Sequence, residues 1–218
     1  MLKEIKIPVP NTNINLETEF FNPDNDKVNI CVLLAHPHSL YGGNMSNNVI
    51  SSLFSTFSNE NIPTLRFNFR GVGKSTGSYG QDIGEQEDIR TCIKFLIEKE
   101  EFEKIFIVGY SYGAAIGCSQ VNTFKNIMGY VAIAFPFDLF IMFKNLAQTS
   151  KPKLFIQGNM DNIANFRNFL KHFKDMKPPK EYKIINNADH FFWGFENQVS
   201  KFAFDFVKKI ENIRKRII

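Results

Sequence analysis

The sequence predicts an α/β protein in which a mostly parallel central sheet carries helices on both faces and a leading antiparallel pair of strands lies at one edge. Three observations carry this. Short runs rich in β-branched and aromatic residues recur along the chain and are apolar through nearly their whole length, the mark of strands covered on both faces. Between them lie stretches with helical spacing, so strand and helix alternate over most of the chain. Residues 5 to 22 look instead like two strands in succession, hence the antiparallel edge pair.

The strands expected after that pair are "NICVLLAH" (29 to 36), "TLRFNF" (64 to 69), "KIFIVGY" (104 to 110), "GYVAIAF" (129 to 135), "KLFIQG" (153 to 158) and "EYKIIN" (181 to 186). The helices expected between and after them cover 47 to 60, 85 to 100, the Ala-rich 114 to 124, 162 to 176 and 197 to 215. Pro136 to Lys151, 16 residues, leave room for a short helical flap and exclude a large lid. With no repeat, low-complexity segment or linker, residues 1–218 read as a single domain. In such sheets ligands bind outside the carboxyl ends of the strands, so the loops there are the place to look.

Composition excludes several classes. At 44% hydrophobic and 22% charged, 218 residues suffice for one soluble domain with a sizeable core. The net charge of +4 is spread along the chain, and its densest basic run, Arg214-Lys215-Arg216 beside Lys208 and Lys209, reads as a solvated helix end; no nucleic-acid partner is expected. Cys31, Cys92 and Cys118 are far apart and form neither a disulfide framework nor a CxxC pair, which fits a reducing compartment. "MLKEIKIPVP" lacks the apolar stretch of a signal peptide, and the longest apolar run, 130 to 143, is broken by Pro136 and Asp138. A cytoplasmic protein without stable membrane insertion is expected.

"FRGVGKSTGSYG" (69 to 80) contains a Gly-Lys-Ser reminiscent of phosphate-binding loops. The position five before Gly73 is Asn68 rather than glycine, and the residues after Ser75 resist the helix that a phosphate site requires. Lys74 is therefore expected to face solvent on a loop that shapes the backbone.

The chemistry gathers elsewhere. "KIFIVGY" runs into "GYSYGAA", a G-x-S-x-G in which Gly109 and Gly113 leave room for crossing backbones at a sharp strand-to-helix turn that presents Ser111. A serine hydroxyl is a poor nucleophile without a base. Of the four histidines, His172 falls within a helix and reads as a surface residue. His36 and His38 precede the serine, and their H-x-H lacks the further ligand that a zinc site would want. His190, in "NNADHFFWGF" after the last strand, is the expected base. For the acid, the order serine, acid, histidine selects Asp161 in "KLFIQGNMDNIANF", with Asp138 as runner-up; Asp189 adjoins His190 and is expected to point elsewhere. Asp161 can also be read as an N-cap of the following helix.

Five ordered elements, "HPHSLYGGNM", "FNFRGVGKSTG", "GYSYGA", "GNMD" and "ADHFFWG", together resemble an α/β-hydrolase over nearly the full length, most closely the small lid-less serine hydrolases akin to dienelactone-hydrolase-like esterases. The resemblance implies a cofactor-free, metal-free Ser-His-Asp triad of Ser111, His190 and Asp161, acting on an ester or thioester of a small-molecule or acylated substrate. It implies an oxyanion hole from the backbone N–H groups of Tyr112 and of His38 or Ser39. Tyr41, Phe137, Phe191 and Trp193 are the expected substrate lining, with core packing as the alternative for the aromatic groups. Asn68 stands where many relatives have Asp, so an ion pair there with Arg70 is expected to be missing. A non-catalytic binding protein, a serine peptidase and a lysophospholipase remain compatible with the same fold.

Overall fold

A computed structural model describes residues 1–23 and 29–211. The run Arg214-Lys215-Arg216 and the tail of the last expected helix lie outside the described residues. Eight strands form one sheet: β1 (Leu2–Pro8), β2 (Asn15–Phe21), β3 (Ile30–Ala35), β4 (Thr64–Phe67), β5 (Lys104–Tyr110), β6 (Ile127–Ile133), β7 (Lys153–Gly158) and β8 (Lys180–Ile185). Their order across the sheet is β1-β2-β4-β3-β5-β6-β7-β8. β1 pairs antiparallel with β2 from Leu2 opposite Phe21 to Pro8 opposite Asn15, and β2 pairs antiparallel with β4. All remaining pairings, β3 with β4 and with β5 through to β7 with β8, are parallel.

The helices are α1 (Asn48–Asn59), α2 (Ile83–Glu98), α3 (Tyr112–Cys118), α4 (Ile141–Leu146), α5 (Phe166–Lys174) and α6 (Glu196–Glu211). Side chains of β3 alternate between two cores. Cys31, Leu33 and Ala35 join the layer that also holds Ile89, Cys92 and Leu96 of α2, the buried side of α3, and Phe169 of α5. Ile30, Val32 and Leu34 join the layer that holds Val49, Leu53 and Phe57 of α1 with Val199, Phe204 and Val207 of α6. Every β3 residue is buried, as its unbroken apolar run requires. β8 departs from that expectation: it is the edge strand, and residues such as Glu181 and Tyr182 remain partly or fully exposed along it. α3 is also shorter than the sequence suggests, because the chain turns at Ser119 instead of continuing to 124. α4 is the single short helix of the 136–151 flap. Among the described residues no helix is long and apolar enough to cross a membrane.

Six parallel strands ending at one rim place the loops after β3, β4, β5, β6, β7 and β8 together, and the remaining question is what chemistry those loops share.

Candidate active site

Ser111 sits between β5 and α3 with φ 54° and ψ −117°, a backbone conformation that L-residues rarely adopt. The surroundings hold it there. Its N–H donates to the Ile133 carbonyl (2.8 Å), and its own carbonyl accepts from Ala114 (2.9 Å) and Ala115 (3.1 Å). The flanking glycines are obligatory: a Cβ on Gly109 would lie 2.3 Å from the Gly113 carbonyl oxygen, and one on Gly113 would lie 2.2 Å from that of Ala35.

His190 hangs in the loop after β8. Its Nε2 lies 2.9 Å from Ser111 Oγ, and its Nδ1 lies 2.9 Å from Asp161 Oδ2. An acceptor carboxylate on Nδ1 fixes the tautomer with the proton there, which leaves Nε2 to accept from the serine hydroxyl. Tyr110, the last residue of β5, donates its hydroxyl to the His190 carbonyl at 2.6 Å and pins the loop. Burial, reinforced by the nearby Asp161 carboxylate, raises that phenol and keeps it a donor.

The two carboxylate oxygens of Asp161 have separate partners. Oδ1 accepts from the backbone N–H groups of Ile163 (2.9 Å) and Ala164 (2.8 Å), which closes the turn after β7, while Oδ2 faces His190; the N-cap of α5 is Asn165 and not Asp161, because the helix begins only at Phe166. Gln157 Nε2 donates to the same Oδ2 at 3.0 Å and to the Ala164 carbonyl at 2.9 Å. Besides Lys153 at its start, Gln157 is the polar side chain of "KLFIQG"; a buried polar residue at the end of an apolar strand is a signal that could point to it, but not to its partner. Asp138, the runner-up acid, is occupied elsewhere: Asp138 Oδ1 is 2.7 Å from His172 Nε2, and this contact holds its carboxyl below the ordinary range. His172 is accordingly no free surface residue; it stacks on Phe137 (5.1 Å between centroids) and its Nδ1 lies 3.3 Å from Lys144 Nζ. Asp189 accepts from the Phe191 N–H within its own turn.

The loop after β3 packs against the nucleophile turn. His36 is buried, its Nδ1–H donating to the Pro37 carbonyl (2.6 Å) and its Nε2 accepting from the Phe69 N–H (3.0 Å). Both ring nitrogens of the H-x-H's first histidine are thus used in bracing two loops, and burial lowers its pKa to about 4. The His38 ring lies against that of Tyr112, centroids 4.3 Å apart, beside Tyr41 and Tyr79. Tyr112 and Tyr79 both donate to Asp82 Oδ1, at 2.9 and 2.8 Å. As the first residue of α3, Tyr112 has a backbone N–H with no acceptor inside the helix. Of the expected lining, Tyr41, Phe191 and Trp193 are exposed at this rim, whereas Phe137 is turned into the core, stacked on Phe135.

The Gly-Lys-Ser loop belongs to the antiparallel edge. Asn68 donates to Glu17 Oε2 (2.8 Å) and accepts from the Met45 N–H (2.8 Å), and Glu17 Oε2 also accepts from the Lys74 N–H (2.7 Å). The Lys74 side chain is 70% exposed. Arg70 is not left unpaired by Asn68: it finds Asp88 of α2, with Nη2 to Oδ1 at 2.7 Å. Among the described residues no three metal-ligating side chains converge.

Comparison with known proteins agrees with the fold. The family profile described as "Alpha/beta hydrolase domain" matches residues 28–216. An uncharacterized protein of Rickettsia prowazekii (strain Madrid E) is 32% identical over 193 residues, 83% of this chain and 79% of that one. The structure of an alpha-beta serine hydrolase homologue from Coxiella burnetii is similar at TM-score 0.84 and 27% identity, covering 97% of both chains. A serine hydrolase without lid from Xanthomonas campestris is similar in fold at TM-score 0.84, with 22% identity over 95% of this chain and 94% of that one.

Proposed function

The chain belongs to the α/β hydrolase family, and we propose that within it the protein is a serine hydrolase that cleaves carboxylic esters or thioesters through an acyl-enzyme. The observation that carries this reading is the unbroken relay Ser111 Oγ to His190 Nε2 and His190 Nδ1 to Asp161 Oδ2, each step 2.9 Å. Ser111 Oγ attacks the carbonyl carbon as its proton passes to His190 Nε2, and the imidazolium so formed is stabilised by Asp161. The carbonyl oxygen, now an alkoxide, is held by the backbone N–H groups of Tyr112 and His38, donors that require no rearrangement when the charge develops. Collapse expels the alcohol or thiol, which takes the proton from Nε2. Water then repeats the cycle on the acyl-enzyme and releases the acid.

The test is direct. A fluorophosphonate probe is expected to label the wild-type protein and not Ser111→Ala. On p-nitrophenyl butyrate, Ser111→Ala and His190→Ala should each lower kcat by about 10⁴ to 10⁶, with the double variant little worse, because the relay acts as a unit. Retention of a tenth of the wild-type rate by either single variant refutes the assignment.

A further inference from the structure

The rim around Ser111 has an unusual surface. Among the described residues fifteen large apolar side chains are exposed, and ten of them stand in or just after the loops at the carboxyl ends of the parallel strands. They come from the loops after five of the six parallel strands, on both sides of β5 in the strand order: Tyr41 (88% exposed) after β3, Ile83 (74%) after β4, Leu139 and Met142 after β6, Met160 after β7, and Trp193 (70%) after β8. Four of these neighbour a residue of the site in sequence or in contact. Tyr41 packs on His38, Ile83 follows the Asp82 that holds Tyr112, Met160 precedes Asp161, and Trp193 lies three residues beyond His190. Single exposed apolar residues need no explanation, but a concentration of them around one mouth does.

The same rim is stripped of cations. The chain carries 26 Lys and Arg in 218 residues, yet segments 36–47, 134–143, 159–165 and 186–195 contain none. In the remaining loop, after β4, Arg70 is bound to Asp88 and Lys74 stands by Glu4 and Glu17 on the antiparallel edge. The charges that remain at the rim are acidic, among them Asp82, Asp138 and Asp189. An anionic surface therefore gains nothing here, and an uncharged or zwitterionic one meets no desolvation cost from buried ammonium groups.

We propose that this face docks on a zwitterionic or uncharged lipid–water interface, with the ring of apolar side chains in the headgroup boundary and Ser111 facing the acyl ester held there. The substrate class rests on the reading of Ser111 as nucleophile; the docking does not. A ring around the mouth suits a fluid surface, which contacts every side at once and delivers substrate to a serine only 8% exposed. A second copy of the chain seated on the same ring would instead cover it. Tyr and Trp, apolar in body with a polar tip, are suited to such a boundary.

Trp193 is the sole tryptophan, so its emission reports the docking without any turnover. Wild-type protein and Ser111→Ala are titrated with phosphatidylcholine vesicles. A saturable shift to shorter wavelength is expected, equal in both, no stronger when part of the lipid is replaced by phosphatidylglycerol, and retained when salt is raised. Ile83→Ser combined with Met142→Ser should weaken vesicle binding at least about tenfold, since each removes most of a side chain's apolar burial. Hydrolysis of dissolved p-nitrophenyl acetate by that variant should stay within about twofold. No shift at any lipid concentration overturns the proposal. So does a shift confined to phosphatidylglycerol vesicles and lost in salt, which moves binding to a basic face. A dimer in sedimentation whose Trp193 already emits at short wavelength without lipid also overturns it, in favour of a second copy. Docking without esterase activity would leave this proposal standing and refute the function.

Discussion

Asp161 meets two demands with its two oxygens, and the separation of those demands makes it testable. Asn at this position can keep its oxygen for the Ile163 and Ala164 N–H groups, and it then presents an NH₂, a donor, to His190 and Gln157. Asp161→Asn should therefore fold with little loss while lowering kcat about 10³- to 10⁴-fold through the wrong tautomer. Asp138→Asn, which disturbs only the contact to His172, should cost less than about tenfold. Reversal of that order, read from kcat on a soluble ester, moves the acid to the loop after β6. His36 gives a second residue-scale prediction. The unfolded chain takes up its proton near pH 6.5 and the folded chain only near 4, so the stability it contributes is complete above 6.5 and declines as pH falls toward 4. Urea titrations should show about 2 kcal/mol lost from this group between pH 7.5 and pH 5, and His36→Gln should flatten that part of the profile. Ser111, Asp161 and His190 were legible because each lies in a local pattern: a glycine-framed turn or a polar loop after an apolar strand. Gln157, Tyr110 and Asp82 were not, because what gives each its role lies in a neighbouring loop or 30 to 80 residues away.

Elements show the same division between local and distant causes. Nearly continuous apolar runs identify β3, β5 and β7, since burial on both faces leaves no alternation to misread. β8 is an edge strand, and its partial exposure depends on a sheet order that no single segment encodes. No helix follows Ser75 directly, as the residues after it dictate; the purpose of the loop is not legible locally, because it is fastened by Glu17 of β2, over fifty residues earlier. Gly73 makes this fastening testable. It has φ 56°, and a Cβ there would lie 2.4 Å from Asn68 Nδ2 and 2.5 Å from Glu17 Oε2. Gly73→Val should cost about 3 kcal/mol through backbone strain and displacement of that partly buried contact. Lys74→Ala, one residue on, should change stability by no more than about 0.5 kcal/mol and esterase activity by less than about threefold. Equal damage from both substitutions, measured by denaturant unfolding, would contradict this account of the loop.

At the scale of the whole molecule, strand and helix alternation is sufficient for the fold class but not for the strand order, which turns on the non-local choice of β4 to pair between β2 and β3. That order seals the core on the α2–α3 side, and its integrity can be read from three cysteines. Cys31 of β3, Cys92 of α2 and Cys118 of α3 are free, fully buried and members of one core layer. Burial pushes all three thiols well above their ordinary pKa, so in the folded protein they are neither thiolate nor reachable. Because they come from a central strand and the two helices laid on it, no fraying of one edge exposes them. Labelling by a thiol reagent such as DTNB in native buffer should therefore be slow, should modify all three with a single rate constant, and should accelerate with urea in step with global unfolding. A first thiol reacting well ahead of the other two would mean that α2 or α3 opens separately from the sheet. Because α3 begins at the residue after Ser111, an early reaction of Cys118 would further mean that the nucleophile turn is held less rigidly than its backbone contacts require.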